Sequence, residues 1–172
     1  MKQTLAILIV LGLLALGTAA FAQGEYGSEY AVKAFEGPRV QVGWVDPNDV
    51  DSTALYGASY IWQNALLSAN YFSADLTNAA ETAKVISLEA SYLWRAMADP
   101  GLYYGGGYGL SRADIGGNTA THGLWNVLVG KEFNSTKEFG KPGLFLEGRW
   151  NFGSSIEGGN INGPRVVLGW KF

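Results

Sequence analysis

Pro164 to Phe172 reads Pro-Arg-Val-Val-Leu-Gly-Trp-Lys-Phe, and how these nine residues are read decides the fold. At the two-residue period of a strand, Val166, Leu168, Trp170 and Phe172 share one face, while Arg165, Val167, Gly169 and Lys171 share the other. The first set suits hydrocarbon and the second a wet or tightly packed interior. A soluble domain rarely leaves two aromatic side chains at a free chain end, so the stretch points to an apolar surround.

The opposite end has the pattern of an export signal. Lys2 precedes an apolar run from Leu5 to Leu16, and Ala20-Phe21-Ala22 puts small residues where a signal peptidase needs them. Cleavage is expected after Ala22, making residues 1–22 the leader and leaving a mature chain of 150 residues, the size of one domain. With Lys2 gone, 11 basic residues face 15 acidic ones, which is no nucleic-acid footprint. An exported chain without cysteine has no disulfide framework to rest on. With 24 Gly, 13% aromatic and 16% charged residues, the composition fits neither a disordered chain nor a soluble helical domain. No apolar run after the leader is long enough for a membrane helix, so a membrane-embedded mature chain must cross as strands.

Residues 23–38 read as a polar lead-in, with a short irregular strand at Tyr30 to Phe35. Alternation then predicts eight strands over residues 39–172: Arg39 to Val45, Thr53 to Trp62, Ala65 to Ala74, Lys84 to Trp94, Leu102 to Ser111, His122 to Phe133, Leu144 to Gly153 and Pro164 to Phe172. Gln63-Asn64 is a tight reversal, Asp46 to Ser52 is turn chemistry throughout, and Arg112 to Thr121 reads as a loop of Gly, Asn and Thr. The sixth strand is apolar on both faces; Trp125, Val127, Val129 and Phe133 are taken as its outward set. Most of these strands have the 9 to 11 residues of a tilted membrane strand, and an even count returns both ends to one side. With the termini in the periplasm, the outer connections are Asp46 to Ser52, Asp75 to Ala83, Arg112 to Thr121 and Ser154 to Gly163.

A soluble barrel such as a lipocalin would show the same alternation with its apolar face turned inward. The tryptophans separate the two. Trp44, Trp62, Trp94, Trp125, Trp150 and Trp170 all fall on the apolar phase near expected strand ends. Trp44, Trp125 and Trp150 would form an outer belt and Trp62, Trp94 and Trp170, with Phe172, an inner one, as headgroup boundaries require. The opposite phase carries Arg39, Glu89, Glu147, Arg149, Arg165 and Lys171, too many charges for a soluble ligand barrel. Arg39, Glu89, Glu147 and Arg149 are expected to form a polar network in the lumen, with Glu89 and Glu147 pairing with Arg149 and Arg39.

On these residues the chain resembles the small eight-stranded bacterial outer-membrane β-barrels, the OmpX-like and OmpA-transmembrane-domain-like group. Trp170 and Phe172 match the carboxy-terminal signature that the barrel-assembly machinery reads. The resemblance implies an all-β, eight-stranded antiparallel up-and-down transmembrane β-barrel in the bacterial outer membrane. It implies outer-membrane lipids and the assembly machinery as partners, and no cofactor. Members of such families are adhesins, structural proteins, small hydrophobic-solute channels or lipid-modifying enzymes, so the fold leaves the function open.

Three motifs carry candidate chemistry. Gly105-Gly106-Gly107-Tyr108-Gly109 lacks the Lys-Ser/Thr and helix of a phosphate loop; Gly105, Gly107 and Gly109 instead face the lumen and make room for larger neighbours. His122, the one histidine, lies across a predicted hairpin from Ser111, with Asp114 nearby, so a Ser-His pair can be drawn. The outer-membrane deacylase pattern wants Ser two residues after His, however, and Leu124 stands there. Asp46, Asp49 and Asp51 offer oxygens for a divalent cation, although Asp and Asn beside Pro are also ordinary turn residues. The expectation is a non-enzymatic protein with no metal centre and a structural or surface-interaction role through its extracellular loops, toward a partner the sequence does not name. A small channel for hydrophobic solutes and a lipid-modifying barrel enzyme are the alternatives.

Overall fold

Side chains that alternate apolar and polar over ten residues satisfy their backbone only by pairing, and here the pairing closes on itself. The computed structural model describes residues 36–77, 79–96, 99, 101–133, 142–153 and 160–172. The leader, its cleavage point and nearly all of the lead-in, including the strand expected at Tyr30 to Phe35, lie outside them. The strands are β1 (Gly37–Val45), β2 (Thr53–Trp62), β3 (Ala65–Asp75), β4 (Thr82–Arg95), β5 (Leu102–Ile115), β6 (Asn118–Glu132), β7 (Gly143–Gly153) and β8 (Gly163–Lys171). Each pairs antiparallel with its neighbour in sequence, and β8 pairs with β1, giving a closed eight-stranded barrel. Closure leaves no sheet edge in the wall, which is the condition for crossing hydrocarbon.

The expected phases hold along most of the wall. Val40, Val42, Tyr56, Leu67, Ile86, Leu88, Leu110 and Leu168 stand exposed on the outside, while Gln41, Ser59, Ser68, Asn70, Ser87 and Ser91 are buried in the lumen. An outer wall of Val, Leu, Ile and Tyr around a polar interior is the arrangement of a barrel whose solvent is lipid.

The main departure from expectation is the hairpin of β5 and β6. Arg112 to Thr121 is not a loop: β5 continues to Ile115, β6 begins at Asn118, and the two strands stay in register from Leu102↔Lys131 to Ile115↔Asn118. Gly116 and Gly117 alone make the turn, with φ of +58° and +86°, the pair of left-handed residues that a two-residue hairpin needs. Gln63 turns the β2–β3 hairpin with φ +54°. Smaller corrections are that Gly37 and Pro38 belong to β1 rather than to the lead-in, that β4 starts two residues earlier than expected, and that Phe133 falls outside β6.

On the lipid phase, Leu102 and Val129 are covered. They pack with Ala96, flanked by Tyr104 and Leu146. The cause is the β4–β5 connection, which folds back on the wall: Ala96 N–H donates to Leu102 C=O at 2.9 Å and Leu102 N–H to Asp99 C=O at 2.8 Å.

The outer connections are tied together. Asp46 N–H bonds Pro164 C=O and Asn48 N–H bonds Asn162 C=O, both at 3.0 Å, while Asp51 N–H reaches Asp75 C=O at 2.8 Å. Val50 bridges Leu76, and both are buried. The segment read as simple turn chemistry thus forms part of a cap over the barrel mouth.

Candidate functional site

The lumen is layered. Towards the outer end, Val45, Leu55, Phe72, Val85, Ala113 and Ile115 form an apolar layer; towards the inner end, Ile61, Leu66, Leu93 and Leu128 surround Tyr103. Between them lies a charged belt centred on Glu89. Its Oε2 accepts from Arg149 Nη1 at 2.6 Å and Asn126 Nδ2 at 3.2 Å, and its Oε1 accepts from Arg165 Nη2 at 2.6 Å and the Ser87 hydroxyl at 2.8 Å. Glu147 accepts from Arg149 Nε and Nη2 at 3.1 and 2.6 Å, and from the Tyr103 hydroxyl at 2.9 Å. Arg149 also donates to Ser68 at 3.0 Å. Two carboxylates and two guanidinium groups therefore neutralise one another with their hydrogen bonds made, the condition under which buried charge is tolerable.

Arg39, Glu89, Glu147 and Arg149 all lie in the lumen, but they do not form one set. Arg39 pairs with Glu132 and stacks over the Phe145 ring at 4.3 Å; Lys171 lies 3.5 Å from the same carboxylate. The pairing expected between Arg39 and Glu89 or Glu147 does not occur, because β1 places Arg39 opposite Lys171, nearer the inner end. Tyr103 links the two clusters, accepting from Arg39 Nη1 at 3.3 Å while donating to Glu147. Tyr103 falls on the inward phase of its strand in the sequence, whereas Glu132 and Asn126 were not singled out by sequence. Their signal was the lumen phase of β6, obscured by apolar residues on both faces.

The glycines make this packing possible. A Cβ on Gly109 would come within 2.7 Å of Glu89 Cγ, and Cβ atoms on Gly130 and Gly169 would collide with the rings of Tyr103 and Phe145. Small residues thus stand directly beside the largest lumen side chains.

Outside, Trp44, Trp62, Trp94, Trp125 and Trp170 are exposed, as is Phe172, and Trp150 is half-buried. Trp94 stacks on Tyr104 with ring centres 6.0 Å apart and meets Tyr92 edge-on at 4.8 Å, while Trp125 meets Tyr108 edge-on at 4.9 Å. Trp125 is not at a strand end as expected. It lies mid-way along β6, because the hairpin continues past it, yet it pairs with Phe152 at the outer end of β7.

Ser111 and His122 do face each other in the β5–β6 register. The Ser111 hydroxyl, however, has no hydrogen-bond partner among the described residues, and Asp114 is turned to the Gly117 N–H at 3.2 Å. The adjoining cavity is about 20 Å³. On the cap, Asp46 accepts from Ser52 and Asp49 from the Asn160 N–H at 2.8 Å; among the described residues no three carboxylate or histidine groups converge on one point.

Beyond the wall, β5 and β6 project. Pairing of β6 with β7 ends at Leu124↔Gly153, so Asn118 to Gly123 have no partner strand on that side among the described residues. The Gly123 carbonyl is aimed at Gly153, where a Cβ would lie 2.9 Å from it. By the two-residue period, Thr121 and Thr119 direct their N–H and C=O groups out of the same edge.

No protein-family model matches the chain, and no curated protein matches its sequence. Among solved structures, Neisserial surface protein A (NspA) superposes with a TM-score of 0.52, at 17% identity, over 78% of this chain and 96% of that one. A loop L8 deletion mutant of OmpT, an outer membrane protein of Vibrio cholerae, matches at 17% identity over 81% of this chain and 45% of that one, with a TM-score of 0.29 that carries no weight. The NspA likeness is one of fold: an eight-stranded transmembrane barrel.

Proposed function

We propose that the protein resides in the bacterial outer membrane and acts without catalysis at the cell surface, through the sheet its outer end projects rather than through its lumen. The observation that carries this reading is the edge of β6 from Asn118 to Gly123, which has no partner strand on its β7 side among the described residues. Six residues are about 20 Å of strand, and a strand edge in water is a template for an incoming extended segment. The partner is accordingly an extended polypeptide that adds to the sheet by main-chain hydrogen bonds. Outer-membrane lipids are the solvent of the wall. Trp170 and Phe172, exposed on the outward phase, serve as the signal to the barrel-assembly machinery.

The lumen belt acts as a strut. A solute conduit would need an open lining, and a lipid-modifying enzyme would need space for its substrate beside an activated serine; the 20 Å³ beside Ser111 gives little support to the latter.

Adhesion tests the reading. Cells carrying the protein, a deletion strain, and a strain with Thr119→Pro and Thr121→Pro are compared for attachment to a surface coated with serum protein. Both prolines remove N–H groups that point away from β5, so the barrel ladder is kept. Attachment should fall to the deletion level in the proline strain, with the barrel still migrating as folded protein. Attachment equal to the parent would overturn the reading.

A further inference from the structure

We propose that the outer wall spanning β1 to β5 binds one phosphorylated lipid of the outer leaflet, its phosphate held by Lys84 and Arg112 and an acyl chain lying in the groove beneath them. The proposal rests on the outer-membrane placement above, but not on the β6 edge.

The first observation is the groove, an open depression of about 810 Å³ on the outward surface. Its floor is made by Ala58, Ala69 and Ala90, whose methyl groups are too small to fill the wall between their neighbours. The register places these alanines side by side with larger residues: Ala58 faces Ala69, Ala69 faces Leu88, and Ala90 faces both Leu67 and Tyr108. A row of methyl groups walled by Leu and Tyr suits a flexible hydrocarbon chain.

The second observation is independent and concerns charge. Lys84 and Arg112 are exposed and share the outward phase with Ile86, Leu88 and Leu110. Arg112 pairs with Ile86 and Lys84 with Asp114 in the register, which makes the two cations diagonal neighbours, about 7 to 8 Å apart at the backbone. One phosphate can be bridged between side chains so placed, with the guanidinium supplying paired donors. The opposing carboxylate of Asp114 is engaged by the Gly117 N–H, and neither cation has an ion-pair partner among the described residues. The remaining described cations lie elsewhere: Arg39, Arg149, Arg165 and Lys171 are in the lumen, Arg95 ends β4 at the inner side, and Lys131, also towards the inner end, is paired with Asp99. Among the described residues, positive charge on the outward surface at the outer end is therefore confined to Lys84 and Arg112, the latter two residues beyond Leu110 on the groove's rim. From Arg112 down to Tyr108 is four residues, about 13 Å of strand, so headgroup and chain positions join in the order a lipid presents them.

Native mass spectrometry on the full mature chain folded in detergent tests this, titrating with lipid A carrying both phosphates and with its dephosphorylated form. The unmutated protein should retain one phosphorylated lipid, binding it roughly tenfold more tightly than the dephosphorylated one. In Lys84→Gln/Arg112→Gln that preference should vanish, with affinity for the dephosphorylated lipid unchanged. Ala69→Phe, which fills the groove from the lipid side, should weaken both lipids by a similar factor, and Lys131→Gln should change neither. Inorganic phosphate at millimolar concentration should not displace the lipid. Equal affinity of the double variant and the unmutated protein for phosphorylated lipid would overturn the proposal, as would full displacement by inorganic phosphate or normal binding to Ala69→Phe. Because these substitutions leave Thr119 and Thr121 in place, loss of adhesion and loss of lipid binding can fail separately.

Discussion

Glu89 receives five side-chain donors from five residues on five strands, β3, β4, β6, β7 and β8, whereas Glu147 shares Arg149 with it and adds Tyr103. The two carboxylates should therefore differ in what their loss costs. Glu89→Gln leaves both Arg149 and Arg165 short of charge in a closed interior and should destabilise by about 3 to 5 kcal/mol. Glu147→Gln leaves Arg149 paired with Glu89 and should cost about 1 to 3 kcal/mol. Urea titrations of refolded protein would check the order; equal costs would mean the belt is not centred on Glu89. At this scale the sequence told which charges face inward, because a period of two sorts Arg39, Glu89, Glu147 and Arg149 onto one phase. It did not tell which partner each takes. Partner choice depends on the stagger between strands, and that stagger puts Arg39 beside Glu132 and leaves Arg165 to Glu89.

Among the elements, the β5–β6 hairpin, on which the proposed surface role rests, was the least legible. Arg112 to Thr121 contains Asp, Asn, Thr and two Gly, which read locally as loop. The strand continues through them because Gly116-Gly117 confines the reversal to two residues and Ala113, Ile115 and Ala120 supply inward side chains for the outer apolar layer. The wall strands were legible because their lipid face repeats without interruption. That face makes a depth prediction: Leu88→Arg, exposed at mid-wall on β4, should cost about 2 to 4 kcal/mol in a bilayer, while Thr82→Arg, on the same phase at the outer end, should cost no more than about 1 kcal/mol. Folding titrations into vesicles measure both, and equal costs would mean that β4 does not traverse hydrocarbon.

For the whole molecule, two apolar layers enclosing a neutralised charged belt make the barrel a filled cylinder. Eight strands enclose an interior just wide enough for side chains. Planar-bilayer recordings on refolded protein should accordingly show no stable ohmic steps; reproducible large conductance would revive the channel alternative. The central claim is that the filled barrel spans the outer membrane and presents the β5–β6 edge to the outside. The absence of cysteine makes this directly measurable, since one introduced thiol is the only one. Intact cells carrying Thr119→Cys or Asn64→Cys are treated with a membrane-impermeant maleimide and compared with lysed cells. Thr119→Cys should label fully on intact cells and Asn64→Cys only after lysis; labelling of Asn64→Cys on intact cells, or protection of Thr119→Cys until lysis, would contradict the account.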